Sequence, residues 1–139
     1  MPEAMKLATG REITVLGFDW GKKRIGTAVG NSITRSATAL RTLRGDRNDL
    51  KFDAIAALIQ EWQPQQLVVG LPLHPDGAAH DNTAHAQRFA RQLEGRFGLP
   101  VALVDERYTS VTAEDHGADD VDSAAAQLIV EQYLQQLGP

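Results

Sequence analysis

The 139-residue chain contains no cysteine and no long hydrophobic run. The absence of cysteine excludes disulfide bonds, zinc sites built on thiolates and a cysteine nucleophile. No apolar run approaches the length of a transmembrane helix, and residues 1–12 lack the apolar core of a secretory signal. The sequence therefore predicts a cytoplasmic protein that has no membrane partner.

The length fits one domain spanning residues 1–139, in which the polar residues 1–12 are predicted to form an irregular N-terminus. The net charge of −4 argues against unspecific binding to nucleic acid. However, residues 1–51 contain ten Lys and Arg against five Asp and Glu, whereas residues 52–139 contain four against thirteen. This asymmetry indicates a basic surface beside a group of carboxylates, although solvated helix faces give the same pattern.

Hydrophobic periodicity predicts an α/β fold with a mixed five-stranded sheet that is flanked by helices. The first three predicted strands form an antiparallel meander, and the fourth and fifth are expected to run parallel to the first. The predicted strands are residues 13–19, 25–31, about 35–43, 67–71 and 101–104. The predicted helices run from Asn48, as N-cap, to Pro64, from Thr83 to Phe97, over Thr109–Glu114 and over Ser123–Leu137.

The segment from Val15 to Val29 places a carboxylate, Asp19, at the end of an apolar strand, before a turn that contains Lys22 and Lys23. A charge in such a strand costs free energy unless a partner compensates for its loss of water. A divalent cation is one such partner, and glycines beside the turn let a phosphate backbone approach closely. An ordinary β-hairpin with a polar residue beside its turn explains the segment equally well.

Further carboxylates stand where elements of the predicted sheet end or begin. Asp105 and Glu106 follow the fifth strand, and Asp122 precedes the final helix. Because sites in open α/β sheets form at the carboxyl ends of strands, these acids and Asp19 are expected to converge there. Clustered carboxylates repel one another unless a cation such as Mg²⁺ neutralises them, and Mg²⁺ ions can support phosphodiester cleavage.

These acids also have structural interpretations. Asp122 before Ser-Ala-Ala has the pattern of an ordinary helix N-cap, and Glu106 beside Arg107 could form a surface ion pair. Adjacent residues of a strand point to opposite faces, so only one of Asp105 and Glu106 can readily join the cluster.

Four motifs occur in order between Ile13 and Leu137. They are Gly17-Phe18-Asp19-Trp20-Gly21 with Arg24-Ile25-Gly26, Val68-Val69-Gly70-Leu71-Pro72-Leu73 with Asp76-Gly77, Asp105-Glu106-Arg107-Tyr108-Thr109, and Asp122-Ser123-Ala124-Ala125-Ala126. Together they resemble the YqgF/RuvX family, RNase H-like proteins described as Holliday junction resolvases or pre-16S ribosomal RNA nucleases. The resemblance covers nearly the whole chain and implies an RNase H-like fold, metal-dependent nuclease chemistry and a bacterial cytosolic location.

The resemblance also assigns roles to individual residues. Asp19, Glu106 and Asp122 match the catalytic acids that bind Mg²⁺ or Mn²⁺. The residues expected near substrate phosphates are Lys22, Lys23, Arg24, Arg107 and Thr109. Independently of the resemblance, Arg35 is a further candidate for a phosphate contact near this basic turn. The implied partner is pre-rRNA or branched DNA, the favoured function is 5′-end processing of pre-16S rRNA, and the implied assembly is a monomer or homodimer.

One segment departs from the family pattern, since residues 113–121 are short and acidic where the family has a longer, more basic stretch. Such a segment would repel nucleic acid, which leaves open a nucleic-acid-binding or ribosome-assembly module that has lost activity. A further alternative is an actin-like or sugar-kinase-like phosphate-binding domain, which shares the Asp-x-Gly hairpin. Those enzymes close two such domains around a nucleotide, whereas this chain has the length of one.

Two other polar groups are interpreted as surface residues. The histidines at positions 74, 80 and 85 lack the spacing of a helical zinc-binding pair. Arg88 and Arg91 are assigned to the solvated face of the second helix, with phosphate contact as the alternative.

Overall fold

The computed structural model describes residues 12–45, 47–72, 83–105 and 121–137. The strands are β1 (Thr14–Asp19), β2 (Arg24–Asn31), β3 (Ser36–Ala39), β4 (Leu43–Arg44), β5 (Gln66–Leu71) and β6 (Val101–Asp105). The helices are α1 (Asn48–Trp62), α2 (Thr83–Phe97) and α3 (Val121–Gln136). The predicted irregular N-terminus at 1–12, apart from its last residue, and the predicted helix over Thr109–Glu114 lie outside the described residues. Within the described ranges, no helix has the length and hydropathy needed to cross a membrane.

The main path of the sheet runs in the order β3-β2-β1-β5-β6. The strand β1 pairs antiparallel with β2 and parallel with β5, and β5 pairs parallel with β6. The predicted mixed sheet is therefore confirmed, and its predicted fourth and fifth strands are β5 and β6. The helices α1 and α2 form the crossover connections that parallel strands require.

The third predicted strand, at 35–43, is wrong in its second half. The structure divides it into β3 and β4, which pair with opposite ends of β2. Between them, the Leu40 amide donates to the Thr27 carbonyl over 2.8 Å, and the Thr27 hydroxyl donates to the Arg41 carbonyl. The interruption depends on a side chain of β2, so the local pattern of residues 35–43 does not reveal it.

The two faces of the sheet bury separate hydrophobic cores because strand side chains alternate between faces. On one face, Leu16, Phe18 and Val69 pack with α1 and α2. On the other, Val15 and Val68 pack with α3. Whether a residue near a strand end belongs to the α1–α2 face or to the α3 face therefore follows from its position in this alternation.

Helix α3 packs so closely on β1 and β2 that side chains are excluded from part of the sheet. A Cβ at Gly17 would lie 2.2 Å from Val130 Cγ2, and a Cβ at Gly30 would lie 2.6 Å from Val130 Cγ1. Val130 is fully buried between the two glycines. This packing places the start of α3 at the end of the sheet where β1 terminates.

The predicted N-cap of α1, Asn48, is wrong by one residue. The N-cap is Arg47, which has an extended backbone and makes no capping hydrogen bond through its side chain. Its guanidinium instead binds Asp49 in the first turn over 2.7 Å. At the other end, Gln63 adopts a left-handed conformation with φ of 48°, and its amide donates to the Ile59 carbonyl just before Pro64.

Candidate active site at the carboxyl end of β1

Asp19 is the last residue of β1 and is partly buried. Leu16 and Phe18 belong to the α1–α2 face, so strand alternation places Asp19 with Gly17 on the α3 face. Its antiparallel neighbour in β2 is Gly26. A carboxylate at this position therefore stands at a strand end, on the face that α3 covers.

The first turn of α3 is fixed to the same end of the sheet by Ser123. Ser123 is 1% exposed, and its hydroxyl forms a 2.8 Å hydrogen bond with the Thr42 hydroxyl and accepts a long hydrogen bond of 3.5 Å from the Thr27 amide. Thr27 is the β2 partner of Phe18, the residue before Asp19. The backbone of Asp122, one residue before Ser123, therefore lies at the end of the sheet that carries Asp19. The side chain of Asp122 lies outside what the structure describes.

The alternation of β6 assigns Asp105, the first of the two candidate acids after the fifth predicted strand, to one face of the sheet. Val104 packs in the α3 core, so Asp105 belongs to the opposite face and is exposed. The strand β5 lies between β1 and β6, so their ends are about 10 Å apart. Asp105 and Asp19 thus end neighbouring regions of the sheet on different faces. Glu106 lies outside the described residues.

The basic turn between β1 and β2 is exposed at Lys22, Lys23 and Arg24. A Cβ at Gly21 would lie 2.6 Å from the Arg24 carbonyl oxygen, so the tight turn requires glycine there. The Gly45 amide donates to the Lys23 carbonyl over 3.0 Å and holds the turn against the end of β4. Arg107 and Thr109, the other two predicted phosphate contacts, lie outside the described residues.

The structure adds Arg44 to this basic surface, which the sequence prediction missed. Arg44 lies directly opposite Arg24 in the register of β2 and β4, and both side chains are exposed. Like charges at opposed positions destabilise a sheet unless an anion or another partner compensates. The sequence prediction did not pair Arg44 with Arg24 because it treated residues 35–43 as one continuous strand that ends just before Arg44.

Arg35, the further candidate for a phosphate contact, does not belong to the site. Its guanidinium donates to the carbonyls of Leu134 and Leu137, over 3.1 and 2.9 Å. Those carbonyls are at the C-terminus of α3, where unpaired acceptors favour a cation. Arg35 follows the end of β2 that pairs with Thr14, so it lies at the end of the sheet opposite Asp19.

Lys51 is a second basic residue that the sequence prediction missed. It is 4% exposed, and its ammonium group donates to the Lys22 carbonyl over 3.0 Å. The available signal is its position four residues before Ile55, which places a lysine on the apolar face of α1. Lys51 therefore connects α1 to the basic turn.

The described residues contain no group of three or more His, Asp or Glu that could hold a metal ion. Of the three acids that the family resemblance assigns to the metal, Asp19 is the one whose side chain belongs to the described residues. Of the three histidines considered above, His74 and His80 lie outside the described residues, whereas the exposed His85 stacks on Trp20.

Residues 13–136 match a protein-family model described as "RuvX: Holliday junction resolvase". The chain is 51% identical to a protein from Paraburkholderia xenovorans named "Putative pre-16S rRNA nuclease", and the similarity covers 96% of this chain and 95% of the relative. It also resembles Thermus thermophilus RuvC bound to a Holliday junction, with a TM-score of 0.56, 11% identity and coverage of 88% and 93% of the two chains.

A second solved structure, the fowlpox virus Holliday junction resolvase, superposes with a TM-score of 0.56 at 12% identity and covers 90% of this chain and 100% of the other. At such identities, the two superpositions show a shared fold, that of the RNase H-like resolvases. Membership of a protein family is shown instead by the family model and by the relative at 51% identity.

Proposed function

Because this chain belongs to the RuvX family of Holliday junction resolvases, we propose that it is a metal-dependent nuclease that cleaves phosphodiester bonds in structured nucleic acid. The name of the Paraburkholderia relative supports pre-16S ribosomal RNA as its main substrate, and the family resemblance adds the 5′ end of that RNA as the proposed site of cleavage. The proposed location, the bacterial cytoplasm, is where processing of that RNA would take place.

The observation that carries this proposal is the meeting of β1 and α3. Asp19 ends β1 on the α3 face, and the Ser123 contacts hold the first turn of α3 at the same end of the sheet. Asp19 and Asp122 are thus about a hundred residues apart in the chain, but β1 ends and α3 begins at the same end of the sheet. Two carboxylate residues at the same end of the sheet suit a metal-dependent phosphodiesterase.

Glu106 is proposed as the third acid, in preference to Asp105. Asp105 belongs to the face opposite Asp19, so a carboxylate on the α3 face has to come from a neighbouring position. The proposed ligands of a divalent cation, Mg²⁺ or Mn²⁺, are therefore Asp19, Glu106 and Asp122. All three offer the oxygen donors that such ions prefer. When bound, the cation would supply charge neutralisation and Lewis-acid chemistry at the scissile phosphate.

The basic turn is proposed to orient the nucleic-acid backbone beside these acids. Lys22, Lys23 and Arg24 are exposed and follow Asp19 within five residues, so phosphates bound to them remain close to the end of β1. Arg107 and Thr109 are proposed as further phosphate contacts. Long basic side chains position a strand without reading its bases, which suits a substrate that is recognised by its structure.

The test is a cleavage assay with purified full-length protein, with Mg²⁺ or Mn²⁺ and with EDTA. The substrates are a 16S rRNA precursor fragment with its 5′ extension, an unstructured single-stranded RNA and a four-way DNA junction. We expect cation-dependent cleavage of the precursor at its 5′ extension. Preferential cleavage of the junction would replace RNA by branched DNA as the substrate.

The acidic segment 113–121 motivates the competing function, a binding module without catalysis. Binding of the precursor without cleavage of any substrate, under either cation, would favour that module and contradict the nuclease. Trimming of an RNA end requires only a monomer, whereas paired cleavage of a two-fold symmetric junction requires a homodimer. Light scattering of the protein with each substrate distinguishes these assemblies.

A further inference from the structure

A small cavity of about 120 Å³ lies on the α1–α2 face, close to the end of β1. Its lining includes Trp20, Lys51, Phe52, His85 and Arg88. Among the described residues that line it there is no carboxylate, although the chain as a whole has a net charge of −4. A cavity of this size admits several water molecules and is therefore large enough for an anion of the size of phosphate.

The buried ammonium group of Lys51 is the strongest indication of an anion in this cavity. Among the described residues its hydrogen-bond acceptor is the Lys22 carbonyl, which uses one of its three N–H donors. No carboxylate among the described residues forms an ion pair with it. A buried charge without a counter-charge is costly, and an anion entering the cavity would compensate it.

The lining of the cavity also includes a stacked pair of rings. The Trp20 indole and the His85 imidazole are 5.4 Å apart at an angle of 16°, and His85 is exposed. Planar rings beside cationic side chains are the means by which proteins hold single-stranded nucleic acid, with bases on the rings and phosphates on the cations. Arg88, on the same helix as His85, is exposed and reaches the cavity.

We propose that this cavity binds a backbone phosphate of the nucleic-acid strand that the nuclease cleaves, between Lys51 and Arg88, with the adjoining base against the Trp20–His85 ring pair. The inference rests on the proposed function and extends it to a second phosphate site, across β1 from the acids. Lys51 is hydrogen-bonded to the basic turn, so a strand that follows Lys22 and Lys23 passes from one site to the other.

The test uses Trp20 as the reporter. The chain has two tryptophans, so Trp62→Phe leaves Trp20 as the only one, and Trp62 is 38% exposed, which makes the change mild. This protein is titrated in EDTA with a short single-stranded RNA, with a peptide nucleic acid of the same bases, and with inorganic phosphate. We expect the RNA to quench Trp20 more strongly than the uncharged analogue, and phosphate to compete with it.

Arg88→Ala and Arg91→Ala form a matched pair, since both remove an exposed arginine from α2 and only Arg88 lines the cavity. We expect Arg88→Ala to weaken RNA binding by about three- to tenfold and to lower the slope of log K against log salt by about 0.7. Arg91→Ala should leave both unchanged. Lys51→Met, with circular dichroism as a check of folding, should abolish competition by phosphate.

Equal effects of Arg88→Ala and Arg91→Ala would overturn the inference, as would equal affinity for RNA and the uncharged analogue. Quenching by inorganic phosphate without quenching by RNA would identify a site for a free anion and overturn the strand assignment. The proposed nuclease fails on a different result, the absence of cleavage in the assay described above. Trp20 quenching that depends on Arg88 can be observed even if cleavage is absent.

Discussion

At the scale of the residue, one position on a strand decides which acids can act together. Asp19 and Asp105 both end strands at the same end of the sheet, yet alternation assigns them to opposite faces. A substitution at Asp19 therefore tests the site, and the same substitution at Asp105 is its natural control.

Asp19→Asn should remove cleavage while leaving the protein folded. Loss of a group in the shell around metal ligands commonly costs about 10- to 100-fold, so loss of a direct ligand should lower activity by more than about 100-fold. The free energy of unfolding without metal should stay within about 1 kcal/mol or rise slightly, because repulsion between carboxylates is relieved. Cleavage assays and thermal denaturation in EDTA measure the two quantities.

Asp105→Asn should retain most of the activity under the same conditions. Unfolding of the Asp19→Asn protein would contradict the assignment, since it would make Asp19 a structural residue. Equal loss of activity in the two variants would contradict the assignment of the metal site to the α3 face.

At the scale of the element, α3 is held against β1 and β2 by close packing rather than by polar contacts alone. Val130 lies between Gly17 and Gly30, and Leu134 is within 2.9 Å of where a Gly30 side chain would begin. Because the first turn of this helix carries Asp122, the packing in its middle controls how near that acid comes to Asp19.

Gly17→Ala should destabilise the protein by about 1–3 kcal/mol, because the new methyl group overlaps Val130. Val130→Ala removes the overlapping atoms, so the double variant should lose at least about 1 kcal/mol less than the sum of the single losses. Urea denaturation of the four proteins gives this coupling energy. Additive losses would show that α3 moves away freely and that its position is not set at Gly17.

Tyr133 predicts how the α3 core responds to alkaline pH. Burial raises the pKa of its phenol above the ordinary value of 10.0. The folded state thus prefers the neutral phenol, so this stabilisation is complete below about pH 10 and is lost as the pH rises through the higher folded pKa. The free energy of unfolding should therefore decrease as the pH rises from the ordinary pKa of 10.0 to the raised pKa of Tyr133 in the folded state.

Tyr133→Phe should flatten that alkaline fall, and Tyr108→Phe, the change at the other tyrosine, should preserve it. Urea denaturation at a series of alkaline pH values checks the slope, and tyrosinate absorbance follows the titration itself. An unchanged slope in the Tyr133→Phe protein would assign the fall to other groups.

At the scale of the whole molecule, the charge is separated so that an acidic protein can still offer a basic surface. The first 51 residues contribute the turn Lys22–Arg24, together with Arg44 and the buried Lys51, to one end of the sheet. A handful of phosphate contacts predicts weak binding of nucleic acid that depends steeply on salt.

Combined Lys22→Ala and Lys23→Ala substitutions should weaken binding to a similar degree for all sequences. For duplex DNA, each lost phosphate contact should reduce the slope of log K against log salt by about 0.9, and added Mg²⁺ should strengthen binding by neutralising the acidic centre. Fluorescence anisotropy at several salt concentrations measures the slope. An unchanged slope would show that this turn serves only as a hairpin and that substrate binds elsewhere.

Most element types, the mixed sheet and the strand-end position of Asp19 could be predicted from the sequence, because they depend on residues that are neighbours in the chain. Alternating and helical periodicities are local, and four motifs in order identify the family. The N-cap of α1 was missed by one residue because Arg47, a residue type that sequence patterns do not mark as a cap, takes that position without a capping hydrogen bond from its side chain.

The tertiary structure alone decided the features that depend on distant residues. The break between β3 and β4 depends on Thr27, the placement of α3 on the contact of Ser123 with Thr42, and the exclusion of Arg35 from the site on carbonyls at the end of α3. The sequence shows that Lys51 is a lysine on an apolar face, but only packing against the turn makes it a buried cation. The sequence determines the chemical type of each side chain, whereas its burial and its partners depend on elements that come into contact only when the chain folds.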